Sequence, residues 1–167
     1  METLFTLTAV DLMHRPVITL RETLSLHEAA ATLLEHGIQG APVVGRLGKP
    51  VGVLSATDIA RYERDRQPDL VRESDYYRLA EAGRAQDVKW DKGFHLEASE
   101  GARVKDVMTP SVISVPEDAH LGMVLSALVD NHIHRVVVLE KGSGRIVGVI
   151  SATDIMRALL SEWISRC

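Results

Sequence analysis

The chain has 167 residues, of which 46% are hydrophobic and 25% are charged, which suits one domain or two small ones and argues against disorder. Only 4% of the residues are aromatic, so we expect an aliphatic core, and the net charge of −4 argues against nucleic acid or an anionic membrane as the main partner. The single cysteine is Cys167, the N-terminal region lacks a basic stretch, and no apolar run reaches about 18 residues, so we expect a cytoplasmic protein without a membrane span.

The first half of the chain opens with a predicted strand and helix. Residues 16–20 contain the β-branched run Val17-Ile18-Thr19 and follow a turn, which favours a short strand. Apolar residues at helical spacing over 26–34 predict a helix. Ser25, with Glu28 three residues later, suits a capping box at the start of that helix.

Two more strands and a second helix follow. Residues 41–44 predict a strand in which Pro42, lacking an N–H group, favours a sheet edge or a strand start. A turn over 45–50 leads to a strand that ends at Ser55, and an apolar-periodic helix starts near Asp58.

Residues 62–103 match neither half of the chain. A short amphipathic helix within 70–85 and a short strand within 93–98 are compatible with the pattern. The segment is either a decorated linker or an element that binds a partner.

The second half repeats the first at an offset of 95 residues, which a one-residue insertion over 140–145 raises to 96. The ten residues GVLSATDIAR over 52–61 return as GVISATDIMR over 148–157, with eight identities. His120 stands where the first half has the capping serine, so we expect a weaker helix start there.

The duplication predicts a mixed α/β fold of two β-α-β-β-α repeats. Each repeat has about sixty residues, too few to cover both faces of its own sheet. We therefore expect the repeats, over 1–61 and 104–167, to pack sheet to sheet with approximate two-fold symmetry.

Both repeats resemble the cystathionine-β-synthase (CBS) domain, and the pair resembles a tandem CBS module. The resemblance is carried by Asp106-Val107-Met108-Thr109-Pro110 at a repeat entry and by Gly-Val-[Leu/Ile]-Ser-Ala-Thr-Asp at both strand-to-helix junctions. It implies two clefts that accept adenosine-containing ligands such as AMP, ADP, ATP or S-adenosylmethionine. It also implies a homodimer built as a disc of four repeats, with no obligatory cofactor.

The family pattern Gly-h-h-Ser/Thr-x-x-Asp implies which residues bind the ligand, because its hydroxyl residue approaches phosphate and its Asp binds ribose. By position these roles fall on Ser55, Thr57 and Asp58 in the first repeat and on Ser151, Thr153 and Asp154 in the second. Hydroxyl groups can donate to phosphate oxygens, and a carboxylate can accept both hydrogens of a vicinal diol. The resemblance further implies that Thr19, Ser114, Ile38 and Ile133 contact the adenine.

His134 and Arg135 resemble a phosphate-facing pair in family members that sense adenylates, such as the regulatory subunit of AMP-activated kinase. The Arg guanidinium is a fixed fork of donors that suits phosphate. Gln39 and Gly40 replace this pair in the first repeat, so we expect the cleft of Asp154 to bind phosphate more strongly.

Structural alternatives stand beside each of these assignments. Ser-x-x-Asp also makes a good helix N-cap with an acidic third residue, Thr57 and Thr153 suit packing, and the His-Arg pair suits a solvated turn. His132 and His134 invite a zinc site but lack further Cys or acidic ligands.

No nucleophile–base pair, P-loop or Gly-rich dinucleotide motif is present in the sequence, so we expect a binding protein and not an enzyme. The first functional hypothesis is a regulatory module that binds an adenine nucleotide and signals to an unknown protein target. The alternative is a structural dimerisation or interaction protein whose clefts are unoccupied.

Overall fold

The structure, a computed structural model, describes residues 6–66 and 101–164. The first repeat contains α1 (Ala9–Leu12), β1 (Leu20–Arg21), α2 (Leu26–Glu35), β2 (Gly40–Val44), β3 (Pro50–Ser55) and α3 (Ala56–Arg66). The second contains α4 (Val104–Val107), β4 (Ser114–Pro116), α5 (Leu121–Asp130), β5 (Arg135–Leu139), β6 (Ile146–Ser151) and α6 (Ala152–Ile164). The predicted fold class, a mixed α and β fold of two β-α-β-β-α repeats, is confirmed, with one short entry helix added to each repeat.

Each repeat builds a three-stranded sheet of the same topology. The strand orders are β1-β2-β3 and β4-β5-β6, with the first pair parallel and the second antiparallel in both. Along the chain, α2 or α5 connects the two parallel strands, and the two antiparallel strands form a hairpin. The final strand of each hairpin runs directly into α3 or α6, so its last residue is also the cap of that helix.

Pro42 does not mark an edge or a strand start, because it lies in the middle of the central strand β2. The corresponding Val137 donates its N–H to the Ile113 carbonyl oxygen at 3.2 Å. Proline has no N–H to make the equivalent bond to Ile18. This explains why β1 is one residue shorter than β4 and leaves Thr19 outside the strand.

The predicted helix starts follow the capping chemistry. Ser25 accepts the Glu28 N–H, and the Glu28 carboxylate accepts the Ser25 N–H, which completes the expected capping box of α2. His120 caps α5 without a side-chain hydrogen bond, as its replacement of serine predicted.

The two repeats exchange their entry segments, residues 7–14 and 102–109, which precede the first strand of each repeat. Ala9 and Leu12 of α1 are buried in the core of the second repeat, and Ala102 and Val104 are buried in the core of the first. The backbone bridge between Thr8 and His120 has its two-fold counterpart between Arg103 and Ser25. Neither repeat therefore completes its core alone.

A glycine at each hairpin makes room for the exchanged segment. A Cβ atom on Gly148 would lie 2.1 Å from Met13 Sδ, and one on Gly52 would lie 2.6 Å from the Thr109 carbonyl oxygen. These are the first residues of the two motif copies. The glycine of the motif is thus required by the close approach of the other repeat's entry segment.

The helix α3 continues to Arg66, five residues past the predicted end of the first repeat. The predicted helix within 70–85 and the strand within 93–98 lie outside the described residues. Among the described helices, none combines the length and apolar character needed to cross a bilayer.

Candidate functional site at the starts of the two hairpin helices

The start of α6 is held by a reciprocal pair of side chains. Asp154 Oδ2 accepts hydrogen bonds from Ser151 N at 2.8 Å and from Ser151 Oγ at 2.6 Å. Ser151 Oγ in turn accepts the Asp154 N–H at 3.3 Å. The capping interpretation of these two residues is therefore correct, and it uses one carboxylate oxygen while the other faces away from the cap.

The start of α3 has the same arrangement. Asp58 Oδ2 accepts from Ser55 N at 2.9 Å and from Ser55 Oγ at 2.6 Å, and the Asp58 N–H donates to Ser55 Oγ at 3.1 Å. Arg61 approaches the second oxygen, Oδ1, at 3.8 Å. The repeated sequence has thus produced two matching helix starts.

A single N–H group remains at each helix start after capping. The Ala152 N–H donates to the His134 carbonyl oxygen at 3.0 Å, and the N–H groups of Ser151 and Asp154 are used by the cap. This leaves the Thr153 N–H without a hydrogen-bond partner among the described residues. By the same reasoning Thr57 keeps a free N–H in the first repeat, because the Ala56 N–H donates to the Gln39 carbonyl oxygen at 2.9 Å. Both threonines are exposed, and their N–H groups lie at the positive end of the helix dipole.

The His-Arg pair lies beside the start of α6. Arg135 is the direct cross-strand partner of Ser151, and both His134 and Arg135 are exposed. Gly40 takes the place of Arg135 opposite Ser55 in the first repeat. The surroundings of the α3 and α6 helix starts therefore differ by one exposed cation, as the sequence indicated.

The residues expected near the adenine fall into two groups. Ser114 and Thr19 are exposed, and Ser114 pairs with Val137 two residues along β5 from Arg135. Ile133 and Ile38 are half-buried and pack against the cores of their own repeats. These two isoleucines thus have a packing role beside any contact with a ligand.

Two residues at this site were not singled out from the sequence. Asp154 Oδ1 lies 2.6 Å from His14 Nε2 and accepts a hydrogen bond from Arg157 Nη1 at 3.0 Å. Burial of the Asp154 carboxyl opposes its ionisation, but the hydrogen bonds donated by Ser151 and the contact with His14 outweigh burial, so the pKa of Asp154 lies below its ordinary value. Arg157 could have been identified from the sequence, because both motif copies have an arginine at this position, Arg61 in the first and Arg157 in the second.

The zinc interpretation of His132 and His134 gains no further ligand. Within residues 6–66 and 101–164, no three His, Cys, Asp or Glu side chains cluster closely enough to hold a metal ion. His132 adopts a left-handed conformation (φ 52°) just after α5, where Gly37 stands after α2. The position of His132 is thus explained by the helix end.

Comparisons with known proteins agree on the fold. The family model described as CBS domain matches residues 9–65 and 104–161. The protein MJ1426 of Methanocaldococcus jannaschii is 26% identical over 156 residues, which cover 90% of this chain and 89% of that protein. The chain spans only 43% and 22% of two longer relatives from the same organism.

Solved structures with the same fold include two with bound adenosine compounds. CBSX2 in complex with AMP has a TM-score of 0.64 at 22% identity, covering 92% of this chain and 96% of that one. The CBS domain pair of MJ0100, in complex with 5′-methylthioadenosine and S-adenosyl-L-methionine, has a TM-score of 0.64 at 24% identity, covering 94% and 98%.

Proposed function

The chain belongs to the CBS domain family, as a tandem pair of its domains, and we propose that it is a regulatory module that binds an adenosine-containing ligand. The ligand class is AMP, ADP, ATP or S-adenosylmethionine. The binding residues are Ser151, Thr153 and Asp154 with His134 and Arg135 in one cleft, and Ser55, Thr57 and Asp58 in the other. The module acts by binding and carries out no catalysis.

The observation that carries the proposal is the free donor at each helix start. The Thr153 N–H, the exposed Arg135 guanidinium and the dipole of α6 all suit a phosphate group, and they lie beside a carboxylate that suits a ribose diol. The AMP complex of CBSX2 and the S-adenosylmethionine complex of MJ0100 support the adenosine class, because both are pairs of the same fold.

Regulation requires that the ligand distinguish two states of the protein. A ligand shifts such an equilibrium only by its differential affinity for the two states. The exchanged entry segments are suited to this, because a ligand beside Ser151 and the residues around His14 touches parts of both repeats at once. A partner protein then recognises the changed arrangement of the repeats.

Calorimetry with AMP, ADP, ATP and S-adenosylmethionine tests the proposal. Binding below millimolar concentration is expected, and Asp154→Ala or Asp58→Ala should remove one site each. Glu28→Ala is the matched control, because Glu28 is also the third-residue carboxylate of a capping box but lies at α2. The control should lose about 1 kcal/mol of stability with unchanged affinity. No binding by the wild-type protein to any of the four compounds would refute the proposal.

A structural role as a dimerisation or interaction protein is the second candidate, and an apolar face favours it. Met156, Leu159, Leu160, Trp163 and Ile164 of α6 are all exposed. The positions that correspond to the first three on α3 are Ala60, Glu63 and Arg64. An exposed apolar patch on one of two otherwise matching helices suits a protein contact, here with a second copy of the chain.

The Leu160→Arg variant tests this second candidate, because it introduces the side chain found on α3. Light scattering should show a dimer for the wild-type protein and a shift toward monomer for Leu160→Arg. The control Ser161→Arg adds the same charge to an exposed neighbouring position and should leave the dimer intact. A monomeric wild-type protein would contradict the assembly.

A further inference from the structure

We infer that His14 is a latch on the second cleft: its imidazole occupies the Asp154 carboxylate oxygen that a ribose would need, and a ligand must displace it. The inference rests on the proposed function, because it concerns access to that site. It assigns to the first repeat's entry segment a role in controlling the second repeat's cleft.

The acceptor capacity of Asp154 is filled. A carboxylate has about four lone-pair positions for hydrogen bonds. Oδ2 takes two bonds from Ser151, and Oδ1 takes His14 Nε2 at 2.6 Å and Arg157 Nη1 at 3.0 Å. A vicinal diol therefore finds no unused acceptor on this side chain while His14 is in place. Because the carboxylate is ionised and only accepts, His14 Nε2 must carry the proton in this contact.

The first cleft lacks this latch. Asp58 Oδ2 is used by Ser55 as in the second repeat, but within the described residues Oδ1 has only Arg61 at 3.8 Å, too long for a hydrogen bond. The Asp58 carboxylate thus keeps acceptor capacity for a ligand.

The entry segments of the two clefts carry different side chains, His14 and Thr109, on an equivalent backbone. His14 N donates to the Val149 carbonyl oxygen at 2.9 Å, and Val149 N donates to the His14 carbonyl oxygen at 3.3 Å. Thr109 and Val53 form the same two-way pair, at 2.9 and 3.0 Å, in the other repeat. The backbone of the entry segment is therefore held in the same way in both clefts, and in the second cleft the imidazole of His14 reaches the Asp154 carboxylate from it.

The latch can open by rotation of the His14 side chain without releasing the backbone pair. The side chain of His14 is 69% exposed, whereas that of Asp154 is 8% exposed. Rotation therefore moves the imidazole into water while the carboxylate stays in the site. A binding-competent state that is only partly populated weakens the apparent affinity by that fraction. The latch therefore lowers the affinity of the cleft that the His-Arg pair was expected to make the stronger one.

Exchange of the equivalent residues tests the latch. AMP binding is measured by calorimetry in an Asp58→Ala background, where only the second cleft can bind. His14→Thr, which introduces the residue of the other repeat, should tighten binding on the order of fivefold. Thr109→His in an Asp154→Ala background should weaken binding at the first cleft by a similar factor. Unchanged or weaker binding in His14→Thr would overturn the latch, even if Thr109→His failed to fold.

A measurement without ligand separates this inference from the proposed function. Ring-nitrogen NMR of the histidines should show that Asp154→Ala changes the His14 Nε2 signal and leaves that of His27, on α2, unchanged. An unchanged His14 signal would overturn the latch whether or not any ligand binds. AMP binding to the wild-type protein with no effect of His14→Thr overturns the latch alone, whereas no binding by the wild-type protein to any of the four adenosine compounds overturns the proposed function.

Discussion

Alanine at Gly148 should destabilise the packing of the first repeat's entry segment against the second repeat. The added Cβ would lie 2.1 Å from Met13 Sδ and 2.7 Å from Met13 Cβ, whereas ordinary contact begins at 3.4 Å. The sulfur can rotate away, but the Met13 Cβ cannot, because the Met13 N–H is bonded to the Ala9 carbonyl oxygen and the next residue is paired with Val149. Overpacking of this kind costs about 1–3 kcal/mol.

Thermal unfolding measures that loss, with a matched control in the same repeat. A loss of about 1–3 kcal/mol corresponds to a fall in Tm of about 2 to 12 °C for a chain of this size. A Cβ on Gly122 of α5 would meet nothing within 4 Å, so Gly122→Ala should keep or raise Tm. If Gly148→Ala unfolds at the same temperature as Gly122→Ala, the exchange of entry segments does not have the close packing described here.

Three further predictions follow from the caps and the sheets. Ser151→Ala and Ser55→Ala should each lose about 1 kcal/mol of unfolding free energy in urea titrations, and equal stability to wild type would contradict the reciprocal caps. The pKa of Asp154 is lowered on folding, so its contribution to stability is present above the ordinary carboxyl pKa of 3.8 and is lost as pH falls through the lower folded value. The unfolding free energy should therefore decrease as the pH drops below about 4, and this decrease should be less steep in Asp154→Asn. The same pH dependence in both proteins would contradict the prediction. Pro42→Val should supply the missing N–H, and amide exchange at residue 42 should become slow, as at Val137; fast exchange there would show that β1 is short for another reason.

Local patterns predicted the longer helices, the hairpins and the caps, but the strand expected over 16–20 begins only at Leu20. The stripe over 26–34, the Ser25–Glu28 box and the missing cap at His120 depend on neighbours within a few residues, and each is present as expected. The duplication also predicted two matching helix starts, because identical sequences adopt the same caps.

Contacts over long sequence separation could not be predicted in the same way. Pro42 indicated an edge from its missing N–H, but its place in the sheet depends on where the parallel neighbour β1 begins. The exchange of entry segments joins residues that are 56 to 135 positions apart, from Val53 and Thr109 to His14 and Val149, and no periodicity records it. His14 shows the limit most clearly, because only the folded chain brings it to Asp154, 140 residues away.

The central claim is that an adenosine ligand binds against the starts of α3 and α6, and an AMP titration followed by backbone amide NMR tests it most directly. The largest shift changes are expected at the N–H groups of Thr57 and Thr153, with smaller changes at Asp58 and Asp154. Saturable binding with no change at either threonine, or no shift at millimolar AMP, would contradict the claim.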